Sequence, residues 1–137
     1  MTDLDRELER RNLSFCRYAD DCNIYVSSSR AGQRIMVGIT AFLAERLKLS
    51  VNAAKSAVAR PWERKFLGYS ITSQRTLKIR IAKSSVARLR HAVGELCAQG
   101  RGRALHDTIE RLNPILRGWM SYFSLTQSRR PIEELDA

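Results

Sequence analysis

The sequence predicts an α+β chain, with helices and short strands mixed over residues 1–81 and helices alone over residues 82–126. Three observations predict it. Two short apolar runs, "SFCRYA" and "CNIYVS", flank Asp20 and Asp21 and have the character of paired strands. A longer stretch, "AGQRIMVGITAFLAERLKL", places Ile35, Ile39, Phe42, Leu43 and Leu47 near one helical stripe. After Ile81 strand-like alternation stops and amphipathic helical spacing takes over.

Each element has a local cause. "TDLDRELERR" reads as a short helix that Thr2 or Asp3 caps, with acids in its first turn and Arg10 and Arg11 in its last, the order that the helix dipole favours. The two strands around Asp20-Asp21 form a hairpin. With those two residues as the turn, Ala19 pairs with Cys22, Arg17 with Ile24 and Phe15 with Val26. The buried face then carries Phe15, Ala19, Cys22, Ile24 and Val26, and Cys16 points away from Cys22. "SSSRAG" is a polar break before the long helix. "SVNAAKSAVARPWERKFLGYSIT" reads as loop, strand, turn and strand, interrupted at Pro61, and "TLKIRI" as one more strand.

Beyond the boundary near Lys78–Lys83, three helices are expected. "KSSVARLRHAVGELCAQG" turns Val86, Leu89, Val93, Leu96 and Cys97 inward and stops at Gly100. "GRALHDTIERL" ends at Asn113-Pro114, and "PILRGWMSYFSL" starts a third helix with Pro114 in its first turn. Its stripe of Ile115, Leu116, Trp119, Tyr122 and Phe123 is expected in a core. Residues 127–137 read as a loose tail.

Charge narrows the function classes. The net charge is +10, from 24 Lys and Arg against 14 Asp and Glu. It is uneven: residues 1–54 hold 8 basic and 7 acidic side chains, residues 55–137 hold 16 and 7. A polyanion is the expected partner, and the second part is its footprint. Three cysteines without framework spacing argue against a disulfide-stapled secreted domain. No apolar run approaches the ~20 residues of a membrane span, and the N-terminus lacks a signal-peptide core, so no membrane partner and a cytoplasmic location are expected.

Asp20-Asp21 is a poor turn on two grounds. Two-residue hairpin turns favour glycine-bearing pairs, because they need positive φ, and adjacent carboxylates repel. A divalent cation offsets both, and Mg²⁺ takes hard oxygens from one or two carboxylates together with phosphate. An acidic pair in a solvated turn is the plain alternative.

The flanking residues favour the cation. "YADD" between two apolar strands resembles the palm domain of reverse transcriptases. "LKLSVNAAKS" resembles that family's helix-to-loop segment, with Lys55 near an incoming nucleotide. "RKFLGYSI" resembles its primer-gripping hairpin, and "LNPILRGWMSYF" the maturase-specific segment of bacterial group II intron proteins. Four motifs occur in the same order across residues 3–123, so the chain resembles a group II intron reverse transcriptase/maturase.

The resemblance implies a partial polymerase palm over 1–81, a three-helix thumb/maturase bundle over 82–126 and a tail over 127–137. It also implies catalytic Asp20, Asp21 and Lys55, with Asp20 and Asp21 on Mg²⁺, in an enzyme joining a primer 3′-hydroxyl to a deoxynucleotide. Tyr18, Arg64, Lys65, Phe66, Leu67 and Gly68 would meet primer or nucleotide. Lys83, Arg88 and Arg117 would hold RNA, together with Arg90, Arg101, Arg103 and Arg111. The partners implied are intron RNA template, DNA primer and deoxynucleotides, in a bacterial, nucleic-acid-associated setting.

One departure matters. The family's third metal-binding aspartate lies on an earlier palm strand, whereas Asp3, Asp5, Glu7 and Glu9 fall in a helix. The chain is therefore expected to read as the rear of the palm plus the thumb, inactive as a polymerase alone, with weak or no Mg²⁺ binding. Open strand edges would favour a homodimer. Two other readings stay open: an RNA-binding splicing cofactor, and a small basic nucleic-acid-binding domain whose Asp pair is structural.

Overall fold

In the computed structural model, which describes residues 2–136, helix α1 (Thr2–Arg10) leads into the hairpin β1 (Ser14–Tyr18) and β2 (Asp21–Tyr25), then helix α2 (Ser29–Arg46). A loop and a 3₁₀ turn at Pro61–Glu63 precede a second hairpin, β3 (Tyr69–Ile71) and β4 (Ile79–Ile81). Helices α3 (Lys83–Gln99), α4 (Leu105–Tyr122) and α5 (Arg130–Asp136) follow. The chain packs as two units, Met1–Arg60 and Pro61–Ala137. The expected change of sequence type near residues 78–83 falls inside the second. Mixed helices with two small antiparallel sheets make this an α+β chain. Among the described residues, no helix is long and apolar enough to cross a membrane.

The first unit is a hairpin backed by two helices. Leu4 and Leu8 of α1, four apart and so on one face, are buried with Ile39 of α2. Leu13, Phe15, Cys22, Ile24, Ile35, Phe42, Leu43 and Leu47 pack around them. The stripe expected on α2 is thus the one that packs. Its start differs: Ser28 lies in the expected polar break and caps the helix, its Oγ accepting from Ala31 N at 3.2 Å. Buried Gly32 lets the 51–60 loop close on α2, since a Cβ there would lie 2.6 Å from Val58 Cγ1. No strand forms in residues 51–60, where one was expected. Asn52 Oδ1 instead accepts from Ala54 N and Lys55 N at 3.1 and 3.3 Å and winds the chain into a turn.

Charge also holds α1. Glu7 accepts from Arg10 Nε at 2.8 Å and Nη2 at 2.7 Å, and from Arg11 Nε at 2.6 Å. Those hydrogen bonds hold its carboxyl down to about 2. A depressed folded value stabilises the fold above the unfolded value of 4.5, and that contribution disappears as pH falls through about 2. Thermal melts should therefore weaken between these limits, and Glu7→Gln should flatten that acid slope. An unchanged slope in the variant would refute this assignment.

The second unit buries Ile81, Val86 and Phe123, with Tyr69, Trp119, Ile132 and Leu135 packed against them. Ser85 and Leu89 are buried on the same helix, α3. Cys97, expected inward, is exposed, because α3 extends past its neighbours' cover; Val93 and Leu96 are half-buried. All three cysteines are free.

Two expectations about the helices are corrected. Residues 105–122 form one helix with Pro114 inside it, not two separated by a break. Pro114 removes the hydrogen bond to Glu110 O on an exposed stretch of a helix that has no buried residue. Ile115 and Tyr122, expected in the core, are 37% and 56% exposed. The expected tail is also ordered: α5 brings Ile132 and Leu135 onto the second core. Before α5, Gln127 lies against β4. Its N–H donates to Ile79 O at 2.8 Å, and its side-chain oxygen accepts from Ile79 N at 3.0 Å.

Candidate catalytic turn and nucleic-acid interface

The hairpin of the first unit turns one residue earlier than its sequence suggests. Tyr18 pairs with Asp21, Arg17 with Cys22 and Phe15 with Ile24, so the two turn residues are Ala19 and Asp20. Ala19 has φ 50° while Asp20 is not at positive φ, the φ pattern of a type II′ turn. The shift changes each pairing partner by two positions. A slip of two leaves every side chain on its original face, so Phe15, Cys22 and Ile24 remain inward. Ala19 and Val26, expected inside, are exposed at the two ends. Asp20 thus crowns the turn and Asp21 opens β2. Both are exposed, and Tyr18 beside them is 64% exposed.

Sequence reasoning missed what holds this turn. Arg17 shares the inward face with Phe15. Its Nε and Nη2 each donate to an Asp5 carboxylate oxygen at 2.6 Å, and its Nη1 donates to Ala19 O at 2.8 Å. The guanidinium keeps the Asp5 carboxyl below the usual carboxylate range. A bidentate pair of this kind is directional, so α1 is tied through Arg17 to the backbone of the turn itself. The signal was available: an arginine on an apolar strand face needs a carboxylate partner.

Adjacent exposed carboxylates supply the hard oxygens that Mg²⁺ takes. Among the described residues, no group of three His, Cys, Asp or Glu could hold a metal ion. Lys55 lies exposed in the Asn52 turn of the same unit.

The other expected residues belong to the second unit. Phe66 N donates to Tyr69 O at 2.8 Å and Tyr69 N to Phe66 O at 2.9 Å, closing a two-residue turn. Its central residues, Leu67 and Gly68, have φ 52° and 81°, the signs of a type I′ turn. Leucine in the left-handed region costs on the order of 1–2 kcal/mol. Protein closes on the glycine: a Cβ at Gly68 would lie 3.1 Å from both Phe123 Cζ and Ser85 Oγ. Gly68 O accepts from Ser85 Oγ and Ala82 N, each at 2.9 Å. Leu67 O accepts from Tyr122 Oη at 2.8 Å. Ser85, Tyr122 and Phe123 were not assigned to this turn from sequence, because their partners lie 17 or more positions away.

Arg64 and Lys65 are exposed ahead of the turn, Lys65 Nζ donating to Ser84 Oγ at 3.2 Å. Lys83 and Arg88 on α3 and Arg117 on α4 are exposed, as are Arg101, Arg103 and Arg111. Arg90 donates through Nη2 to Glu134 O at 3.2 Å, which ties α3 to α5. His91 and His106 lie on the surface beside Glu95 and Glu110, at 3.3 and 3.1 Å.

Residues 1–71, just over half of the 137-residue chain, match the family model for reverse transcriptase (RNA-dependent DNA polymerase), and residues 86–137 match that for the group II intron maturase-specific domain. The chain belongs to the group II intron reverse transcriptase/maturase family. A comparison with curated proteins finds no match. In this reverse transcriptase/maturase chain, the Ala19–Asp20 and Leu67–Gly68 turns both lie in the reverse transcriptase match. Tyr122 and Phe123, which hold the second turn, lie in the maturase match.

Proposed function

We propose that this chain carries the metal-binding turn, the primer-gripping turn and the RNA-holding helices of an RNA-directed DNA polymerase that also assists intron splicing. The observation that carries the reading is the tip of the first hairpin. Asp20 and Asp21 stand exposed there, on a turn braced from behind by Arg17 and Asp5. Family membership supports the same chemistry.

Asp20 is the direct ligand of Mg²⁺, with Asp21 beside it. Once bound, the ion lowers the pKa of the primer hydroxyl and neutralises charge on the leaving pyrophosphate. Tyr18 lies next to the primer end, and Lys55 faces the phosphates of the deoxynucleotide. Phe66, Leu67 and Gly68 hold the primer backbone, flanked by Arg64 and Lys65. Lys83, Arg88 and Arg117 hold intron RNA. The chain alone extends no primer, because its described residues leave the metal site short of a third carboxylate. It works in the bacterial cytoplasm, on nucleic acid.

The RNA-holding role is testable on this chain. Each phosphate contact to single-stranded RNA contributes about −0.7 to the slope of log affinity against log salt. Anisotropy titrations of Lys83→Glu/Arg88→Glu/Arg117→Glu should therefore show a slope shallower by about 2 than the parent. Equal slopes would remove these residues from the interface, and no binding by the parent at low salt would remove the reading.

A further inference from the structure

The Leu67–Gly68 turn has an unusual distribution of its polar groups. Both of its carbonyls are taken from the helices and the cap of α3: Leu67 O by Tyr122 Oη, Gly68 O by Ser85 Oγ and by the N–H of the N-cap residue Ala82. The N–H groups of Leu67 and Gly68 take no acceptor among the described residues. The clamp is reciprocal, since Tyr69 Oη donates to Tyr122 O while the two rings stack with centroids 6.1 Å apart. Phe123 closes the assembly, its ring 5.1 Å from that of Tyr69 and 4.8 Å from that of Tyr122. A strained non-glycine residue at φ 52° is thus held from the last turn of α4 and the first turn of α3.

We propose that Tyr122 and Ser85 are positioning residues of the polymerase, so that the maturase segment, through Tyr122, helps set the shape of the primer-contacting turn. By occupying the acceptors of the turn they leave its donors as the groups that meet a phosphodiester. Successive backbone N–H groups in a turn make a concavity that suits an anion. Leu67 lies in the reverse transcriptase match and Tyr122 in the maturase match, with Ser85 between the two, yet Tyr122 Oη reaches Leu67 O across 55 positions of the chain. Disturbance of the α4 terminus therefore reaches the grip directly. This inference rests on the reading that residues 66–68 face the primer.

Tyr122→Phe tests it, because it keeps the ring and removes only the donor to Leu67 O. In the protein alone, the Phe66 and Tyr69 amides should exchange about fivefold faster, as expected for one lost hydrogen bond. Affinity for a DNA primer with a recessed 3′ end on an RNA template should fall about fivefold, with affinity for single-stranded RNA unchanged. Leu67→Gly in the Tyr122→Phe background should restore both, because glycine holds positive φ without a brace. Unchanged exchange in Tyr122→Phe overturns the proposal. So does faster exchange without rescue, together with an equal loss of RNA affinity, which marks general loosening. A parent chain that binds primer–template no better than single-stranded RNA would instead remove the primer reading, while exchange still decides the brace.

Discussion

Primer extension by a reverse transcriptase completed around this chain should fall on the order of a thousandfold when Asp20 becomes alanine, the scale seen when a preorganised group is taken from a transition state. Palm and fingers segments taken from a family member are supplied in trans. Extension of a recessed DNA primer on RNA is then followed with and without a Mg²⁺ chelator. Asp20 is well suited to the test, since its side chain makes no hydrogen bond or ion pair among the described residues. Its turn is held by Arg17 through the Ala19 carbonyl. Loss of activity in Asp20→Ala therefore reports chemistry and not collapse of the hairpin, and an unchanged circular dichroism spectrum checks that. Activity within twofold of the parent would return the acidic pair to the status of a solvated turn. Extension by the unsupplemented chain would refute the proposed dependence on a third carboxylate.

The second large effect is structural. Phe123→Ala should destabilise the second unit by about 3–5 kcal/mol, a large share of the ~5–15 kcal/mol of a whole domain. Phe123 is 7% exposed and its ring contacts those of Tyr69, Trp119 and Tyr122. It also backs Gly68, so its loss opens space beside a turn that needs support. Urea unfolding followed by tryptophan fluorescence is selective here. The two tryptophans, Trp62 and Trp119, both lie in the second unit, and Trp119 touches Phe123. A midpoint that moves by less than the equivalent of ~1 kcal/mol would show that the aromatic cluster is not the keystone of that unit.

Much of this was legible in the sequence, for reasons that differ by element. The α2 stripe was readable because a period near 3.6 names its own buried face. The inward face of the first hairpin survived an error in pairing because alternation has a period of two. The turn itself was misplaced. Two acids look like the tip, whereas the chain turned at Ala19-Asp20, where Arg17 could reach both Asp5 and the Ala19 carbonyl. The helix break expected at Pro114 did not occur, since residues 105–122 run on as one helix through it.

By itself, the sequence determined the stripe on α2, the inward Phe15, Cys22 and Ile24 of the first hairpin, where the positive charge accumulates and which motifs follow one another. All of these are properties of short windows, in which a residue's neighbours lie within a turn or two of it. The tertiary structure decided the rest: that α5 covers the second core, that Cys97 is exposed, that Tyr122 and Ser85 grip the Leu67–Gly68 turn. Those outcomes depend on hydrogen bonds and contacts between residues far apart in the chain. Such pairings leave no periodic trace, because the residues that make them are chosen by geometry once the local elements have already formed.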